Sequence, residues 1–370
     1  MTELAAGPDV PSTMDAVHLL GNGGFDKLQF RSDVPVPVAG PGEVLIRVGA
    51  AGVNNTDINT RIGWYSKSVT EGTESGASTD DGSDSDVVDD GSWTGEALQF
   101  PRIQGADACG HVVAVGDGVP TDRLGRRVLV RTMQNPDPTV ESPTVSRVFG
   151  SEIDGGFAQY ATVCANDALD IDCDWTDIEL ASIPCAYSTA EGLLHRADLG
   201  QERVLITGAS GGVGSAAVQL AIRRGAEVIA VSGAAKADDV RSIGADRVVE
   251  RGQDLVSVLG TDSVDVVIDL VAGPQWPQLL DVLRIGGRYA VAGAIAGPIV
   301  ELDVRTLYLK DLTFHGCTFQ PDVIMQNLVR YIEAGEIRPL VAKSYPLSEI
   351  VQAQKDFLAK QFVGKLVLVP

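Results

Sequence analysis

A chain of 370 residues, 44% apolar and 21% charged with a mean hydropathy of +0.09, is long enough for two domains and has a folded, globular composition, which excludes fibrous and disordered classes. Fifty acids face 29 bases for a formal charge of −21, and a surface of that sign repels phosphate backbones and anionic lipid, which argues against nucleic acid and membrane as partners. The excess is Asp over Glu (34 to 16) with Arg over Lys (21 to 8), a balance that fits either a halophilic source or a GC-rich genome with one acidic loop.

In chain order, residues 12–60 read as short strands with Gly/Pro turns between them, DAVHLL and PVPVAGPGEVLIRVGAAGV among them. From Ser68 to Pro101 there are nine acids and no base, set among Gly, Ser and Thr, so residues 66–98 are expected to form a solvated, mobile loop. Its carboxylate run D-D-G-S-D-S-D-V-V-D-D lacks the Gly and closing Glu of an EF-hand calcium loop at the required places. Strand-like text resumes over 100–163 in ACGHVVAVGDGV, RRVLVRTM and GGFAQYATV. From about 178 the stretch DIELASIPCAYSTAEGLLHRA has helical spacing.

Alternating units follow: VLITG, a helix over 212–224, EVIAV, a helix over 237–243, then DRVVE, DVVIDLV, GGRYAVAG and LTFHGCT. Such alternation predicts an α/β fold with a doubly wound parallel sheet and helices on both faces. The tail, 321–370, predicts helices at VIMQNLVRYIEAG and AQKDFLA and a strand at KLVLV. Five scattered cysteines, Cys109, Cys164, Cys173, Cys185 and Cys317, imply no disulfide framework. With no basic leader ahead of an apolar core and no apolar run of about 18 residues, a cytoplasmic protein is expected.

The most informative local stretch is RVLITGASGGVG, residues 203–214, running into SAAVQLAIRRGA. Ala209, Gly211 and Gly214 take the three small-residue positions of a dinucleotide-binding turn, with Ser210, Gly212 and Val213 inside it. The first position serves the tight turn, the second admits a pyrophosphate to the backbone, and the third lets helix pack on strand. The helix N-terminus adds free N–H groups and a positive dipole. At the end of the second strand, where a carboxylate would bind a ribose 2′-hydroxyl, stands Ser232, with Lys236 and Arg241 nearby. Serine with a cation accepts a 2′-phosphate that a carboxylate repels, so NADPH is expected over NADH.

Together with PGEVLIRVGAAGVNNTD (41–57), IQGADACGHVVAVGDGV (103–119), DGGFAQYATV (154–163), PCAYSTAEGLL (184–194) and IGADRVV (243–249), this motif makes the chain resemble the medium-chain dehydrogenase/reductase superfamily. The resemblance implies a GroES-like β-rich catalytic domain, residues 1–186 and 320–370, around a Rossmann-type dinucleotide-binding domain, residues 187–319, with the active site in the cleft. It implies homodimers or homotetramers and a small-molecule substrate. In zinc-dependent members a Cys follows the Gly-Val of the first motif and a His-Glu pair follows the Gly of the second; here stand Asn54 and Ala106-Asp107, and only Cys185 keeps a ligand's place. The stretch 124–150 has no Cys for a structural zinc. The resemblance is therefore to the zinc-free, quinone-oxidoreductase branch.

It further implies that Asn54 bonds the acceptor or the nicotinamide ribose, or else serves as a turn residue. Asp57 would orient a neighbour or act as a structural carboxylate. Tyr65 would lie over the nicotinamide as a hydrogen-bond or proton donor, or simply pack. Thr189 is expected on the nicotinamide face. Val271, Ala272, Gly293 and Cys317 lie at strand ends, where backbone contacts to cofactor are expected. Cys185 is expected to be an inert relic, and His111 and His315 satisfied strand residues. The expected activity is NADPH-dependent, zinc-independent hydride transfer to a quinone, enone or carbonyl, against the alternatives of a zinc alcohol dehydrogenase with unusual ligands or a non-enzymatic NADPH-binding protein.

Overall fold

Alternate residues of a strand point to opposite faces of its sheet, and in the rear half of this chain both faces are covered. Along Arg203–Ile206, Val204 and Ile206 pack on one side and Leu205 on the other; Val228 and Ala230 divide likewise from Ile229 and Val231, as do Val266 and Ile268 from Val267. The first side is closed by the helices Pro184–Arg196, Gly212–Arg223 and Asp322–Glu333, the second by Leu255–Leu259 and Trp276–Val282. A computed structural model describes residues 5–6, 10–73, 88–135 and 146–370.

The six rear strands are all parallel, in the spatial order Arg247–Glu250, Glu227–Ser232, Arg203–Ile206, Val264–Asp269, Leu283–Val291, Thr313–Gly316. The order reverses between Arg203–Ile206 and Val264–Asp269, and the crevice at such a reversal is where an open α/β sheet takes its ligand. This is the expected Rossmann-type sheet.

The front half is β-rich. Glu43–Val53 is central, flanked by Cys109–Val115 and by Lys365–Val369, with Tyr160–Cys164 also paired along it. Arg127–Val130 and Ala168–Asp170 extend one side, and Val341–Pro346 extends the other as a parallel neighbour of Lys365–Val369. The strand from the tail thus completes a sheet begun near residue 43. Leu366 faces Val53 in its antiparallel ladder, so Lys365 arrives beside Asn54.

Two differences from the sequence reading have local causes. The stretch with helical spacing from about 178 is two helices, Asp177–Leu180 and Pro184–Arg196, because Pro184 starts a new first turn rather than extending the old one. The shoulders of the expected solvated loop are packed: Thr73, Ser92 and Leu98 are buried. Residues 74–87, which hold most of the acids of that loop and most of the carboxylate run weighed as a calcium site, lie outside the described residues. No helix among the described residues is long and apolar enough to cross a membrane.

Candidate active site

The strand Arg203–Ile206 leads into a turn whose backbone does the work. Gly208 has φ +61°, Ala209 is buried and donates its N–H to the Val231 carbonyl at 3.1 Å, and Gly211 is the extended N-cap of the helix that begins at Gly212. A Cβ on Gly214 would overlap the Gly208 carbonyl oxygen and sit 2.7 Å from Ala209 Cα, so the helix can close on the turn only through a glycine. A Cβ on Gly211 would meet nothing nearer than the Gly208 oxygen at 3.5 Å, and Gly211 is exposed. The helix start therefore presents an open face with free N–H groups, a fit for a pyrophosphate. Ser210 turns its carbonyl to the N–H of Gly364 at 3.3 Å, and Val213 packs toward the core.

At the next strand end Ser232 is buried, its hydroxyl 3.4 Å from the Gly233 carbonyl. Lys236 is only half free: its ammonium donates to the Phe362 carbonyl at 2.8 Å, and burial, then the charge of Arg251, lowers its pKa. Arg241 is taken by Asp238 at 2.5 Å. The cation that faces Gly233 is instead Arg251, with Nη2 3.8 Å from where a Cβ would stand, and its own N–H bonds the Ser232 carbonyl at 2.7 Å. Arg251 is not legible from the strand that ends in Ser232, because it follows the neighbouring strand, Arg247–Glu250.

Three more strand ends line the crevice. Asp269, fully buried, accepts hydrogen bonds from Thr207 Oγ1 (2.6 Å), the Val271 N–H (3.0 Å) and the Ala272 N–H (3.1 Å) on one oxygen and from the Tyr289 hydroxyl (2.7 Å) on the other. That carboxylate holds Ala272 at φ +52°, a conformation alanine rarely adopts. Gly293 approaches so closely that a Cβ would lie 2.7 Å from the Leu270 carbonyl oxygen. The Cys317 N–H donates to Val291 at 2.9 Å, and its thiol lies 3.5 Å from the His315 carbonyl. Thr189, half-buried, receives Gln320 Nε2 at 3.5 Å, while Gln320 Oε1 is buried without a partner.

The acceptor end starts where Glu43–Val53 gives way to the helix Asn55–Ile62. Asn54 and Asp57 form a capping box, the Asn54 N–H donating to Asp57 at 2.8 Å. Asp57 also accepts the Ala106 N–H at 3.1 Å. Its pKa is nonetheless pushed up to about 7, chiefly by burial, with the neighbouring charge of Asp107 adding to it. Asn54 donates through Nδ2 to Asp107 at 2.7 Å and accepts the Lys365 ammonium on Oδ1. Asp107 in turn accepts Lys365 at 2.9 Å and the Cys185 N–H at 2.6 Å. Tyr65 donates to Thr56 Oγ1 at 2.8 Å, and its ring packs 5.1 Å from Trp93, which belongs to the shoulder of the acidic loop. Burial drives the Tyr65 hydroxyl and the Cys185 thiol well above their ordinary ranges.

Asn54 and Asp57, each expected either in the chemistry or in a structural role, are both bonded within the fold. Asp57 is buried and committed to two backbone N–H groups, so it is a structural carboxylate. Asn54 spends both ends of its amide on Asp107 and Lys365, which leaves it no direct contact to offer an acceptor. The Tyr65 proton goes to Thr56, so the hydroxyl left with a proton to donate is that of Thr56. Neither Thr56 nor Lys365 carries a signal of this kind in its local sequence. At the places where zinc ligands would stand are the Asn54 amide, the Ala106 methyl and the Cys185 thiol, with an ammonium beside them. Among the described residues no group of three His, Cys, Asp or Glu side chains is placed to hold a metal ion.

Comparison with known proteins bears on this geometry. Residues 40–172 match the family model of the alcohol dehydrogenase GroES-like domain, and residues 212–334 match that of zinc-binding dehydrogenases. A crystal structure of a Sinorhizobium meliloti protein named as an alcohol dehydrogenase is similar with a TM-score of 0.85 and 49% identity, over 98% of each chain. The quinone oxidoreductase of Lama guanicoe is 28% identical over 371 residues, 96% of this chain and 97% of its own. The 2-octenoyl-CoA carboxylase reductase CinF, solved with NADP and 2-octenoyl-CoA, is 25% identical with a TM-score of 0.81, over 98% of this chain and 88% of its own.

Proposed function

Because the chain belongs to the medium-chain dehydrogenase/reductase superfamily, in its quinone-oxidoreductase-like branch, and is an NAD(P)H-dependent oxidoreductase, we propose that it is an NADPH-dependent, zinc-independent reductase of quinones or enones, with simple carbonyls as a lesser class. The observation that carries this reading is the pairing of an open dinucleotide turn at 208–214 with an acceptor site whose charge is a lysine ammonium. Zinc needs three protein ligands and an open fourth position. An amide, a methyl and one thiol, with a cation already between Asn54 and Asp107, do not fit it.

When bound, the dinucleotide supplies the hydride. The chain's own part is to seat the pyrophosphate on the Gly211–Gly214 backbone, receive the 2′-phosphate between Ser232 and Arg251 with Lys236 behind them, and hold the reacting ring against Thr189. Glu250, across from Ser232 in the sheet, is the carboxylate that would favour NADH if it turned toward the ribose. Thr56, whose oxygen is occupied by Tyr65, keeps a proton to donate to the acceptor.

The experiment is oxidation of NADPH and of NADH with quinones, enones, aldehydes and ketones, in low and in molar salt, with and without a chelator. We expect NADPH to be preferred, a quinone or enone to be the best acceptor, and chelation to have no effect. R251A should cut the NADPH preference about tenfold, and T56V, which removes the donating hydroxyl, should lower kcat/KM by at least about tenfold. Stoichiometric zinc with loss of activity on chelation would replace this reading with that of a zinc alcohol dehydrogenase.

The assembly proposed is a homodimer in a reducing cytoplasm, which suits five free cysteines. Thr313–Gly316 is an edge strand of the parallel sheet, and the segment leading into it exposes the apolar side chains of Ile299, Val304, Tyr308 and Leu309, which a second copy would cover.

A further inference from the structure

One side chain links the cofactor turn to the acceptor end. The ladder that sets Leu366 opposite Val53 delivers Lys365 to Asn54, at the head of the capped helix. One residue earlier, Gly364 is bonded to Ser210 of the turn, and the Lys365 methylenes pass so near Gly212 that a Cβ there would lie 2.8 Å from Cδ. Lys365, which carries the ammonium at the end of this path, is 3% exposed. An ammonium has three protons to donate. Two go to Asn54 Oδ1 and Asp107 Oδ2, and among the described residues the third meets no acceptor. Asp107 is also fully engaged, with Cys185 on one oxygen and Asn54 and Lys365 on the other. A buried ion pair whose cation keeps one unspent N–H is built to receive a further electron-rich atom, since leaving such a donor dry is costly.

The position of the ammonium separates two kinds of oxygen. The aliphatic stem, not the ammonium, is what lies against the phosphate turn. The ammonium lies among Asn54, Asp107 and the start of the Cys185 helix, on the acceptor side of the cleft. We propose that Lys365 is a catalytic residue of the acceptor site, donating its third N–H to the carbonyl or quinone oxygen so that its charge receives the negative charge that develops there. The proposal rests on the hydride-acceptor reading above. The role is electrostatic: the proton stays on Nζ, and the nitrogen changes no bond. Asn54 and Asp107 are positioning residues for it, which gives the Asn54 amide its function without a contact of its own to the acceptor.

The test uses para-nitrophenol, whose phenolate is coloured and mimics a carbonyl oxygen that has gained charge. Its ionisation is titrated by absorbance with wild-type protein and with K365M, both free of cofactor, while the Kd for NADPH is measured by fluorescence and kcat with the best acceptor. We expect wild type to lower the pKa of the bound phenol by about one unit, and K365M to abolish that shift. We expect kcat of K365M to fall about 100-fold, the scale for losing one donor to a developing oxyanion, while the NADPH Kd changes less than about threefold. K365M leaves Asp107 buried without its cation, so the double variant K365M/D107N, which removes both charges, is measured beside it.

A wild type that does not shift the phenol overturns the proposal without recourse to any variant. So does an unchanged kcat, or an NADPH Kd weakened more than about tenfold with the phenol shift intact, which would assign the lysine to the pyrophosphate. If no acceptor is reduced by wild type but the phenol shift is present and lysine-dependent, the hydride reading fails and the oxygen-binding role of Lys365 stands.

Discussion

Asp57 shows what burial does to a carboxylate that has donors but no cation of its own. Two backbone N–H groups reach it, yet the loss of water outweighs them and its pKa rises from 3.8 to about 7. The folded chain then holds this proton more tightly than the unfolded chain does. Its stabilising contribution is complete below about pH 4 and is lost as the pH climbs through about 7. Asp167, also raised by burial, to about 6, acts in the same sense, so the comparison must be between proteins that share it. We expect the wild-type Tm, measured relative to that of D57N, to decline between about pH 4 and pH 7 and to level off above. Parallel profiles for the two proteins would mean that Asp57 is ionised throughout.

At the scale of elements, the two glycines that frame the phosphate turn make separable predictions. G214A forces a methyl group into the Gly208 carbonyl and the Ala209 backbone, so the strand–turn–helix unit must shift, and we expect a lower Tm together with loss of dinucleotide binding. G211A meets nothing in the folded chain closer than 3.5 Å, so its Tm should match wild type while its Kd for NADPH weakens at least about tenfold, because the methyl occupies the phosphate's own approach. Calorimetry with fluorescence titration separates the two outcomes. This turn was legible in the sequence because each glycine acts on atoms a few residues away. The rear strands were legible for a similar reason, as short apolar runs bounded by turns. The strand Val341–Pro346 was not, because it is mostly exposed, carries Lys and Ser, and ends in Pro, so it shows no alternation to read. Lys365 was equally hidden. Its partners lie 311 and 258 residues away, and only the pairing of the tail strand with Glu43–Val53 brings them together.

For the whole molecule, the net charge of −21 opposes association of like copies, and the exposed apolar side chains of Ile299, Val304, Tyr308 and Leu309 favour it. Salt weakens the first and strengthens the second. Sedimentation should therefore show a dimer whose dissociation constant tightens from low to molar salt. V304E/L309E, which places charge on two exposed apolar positions, should remain monomeric throughout while its Tm stays near wild type. A dimer unaffected by that variant would move the interface elsewhere.

The tail strand also imposes an order in time. Glu43–Val53, Asp107 and the phosphate turn are all made on the ribosome well before Lys365–Val369, and the nascent chain folds from its N-terminal side as it emerges. Until that strand is added, Asp107 is a carboxylate without its cation and the edge of Glu43–Val53 that it will cover is bare. The oxidoreductase therefore cannot acquire its acceptor chemistry in instalments: a nascent chain can already have the turn that binds its cofactor while it still lacks the charge that would put that cofactor to use.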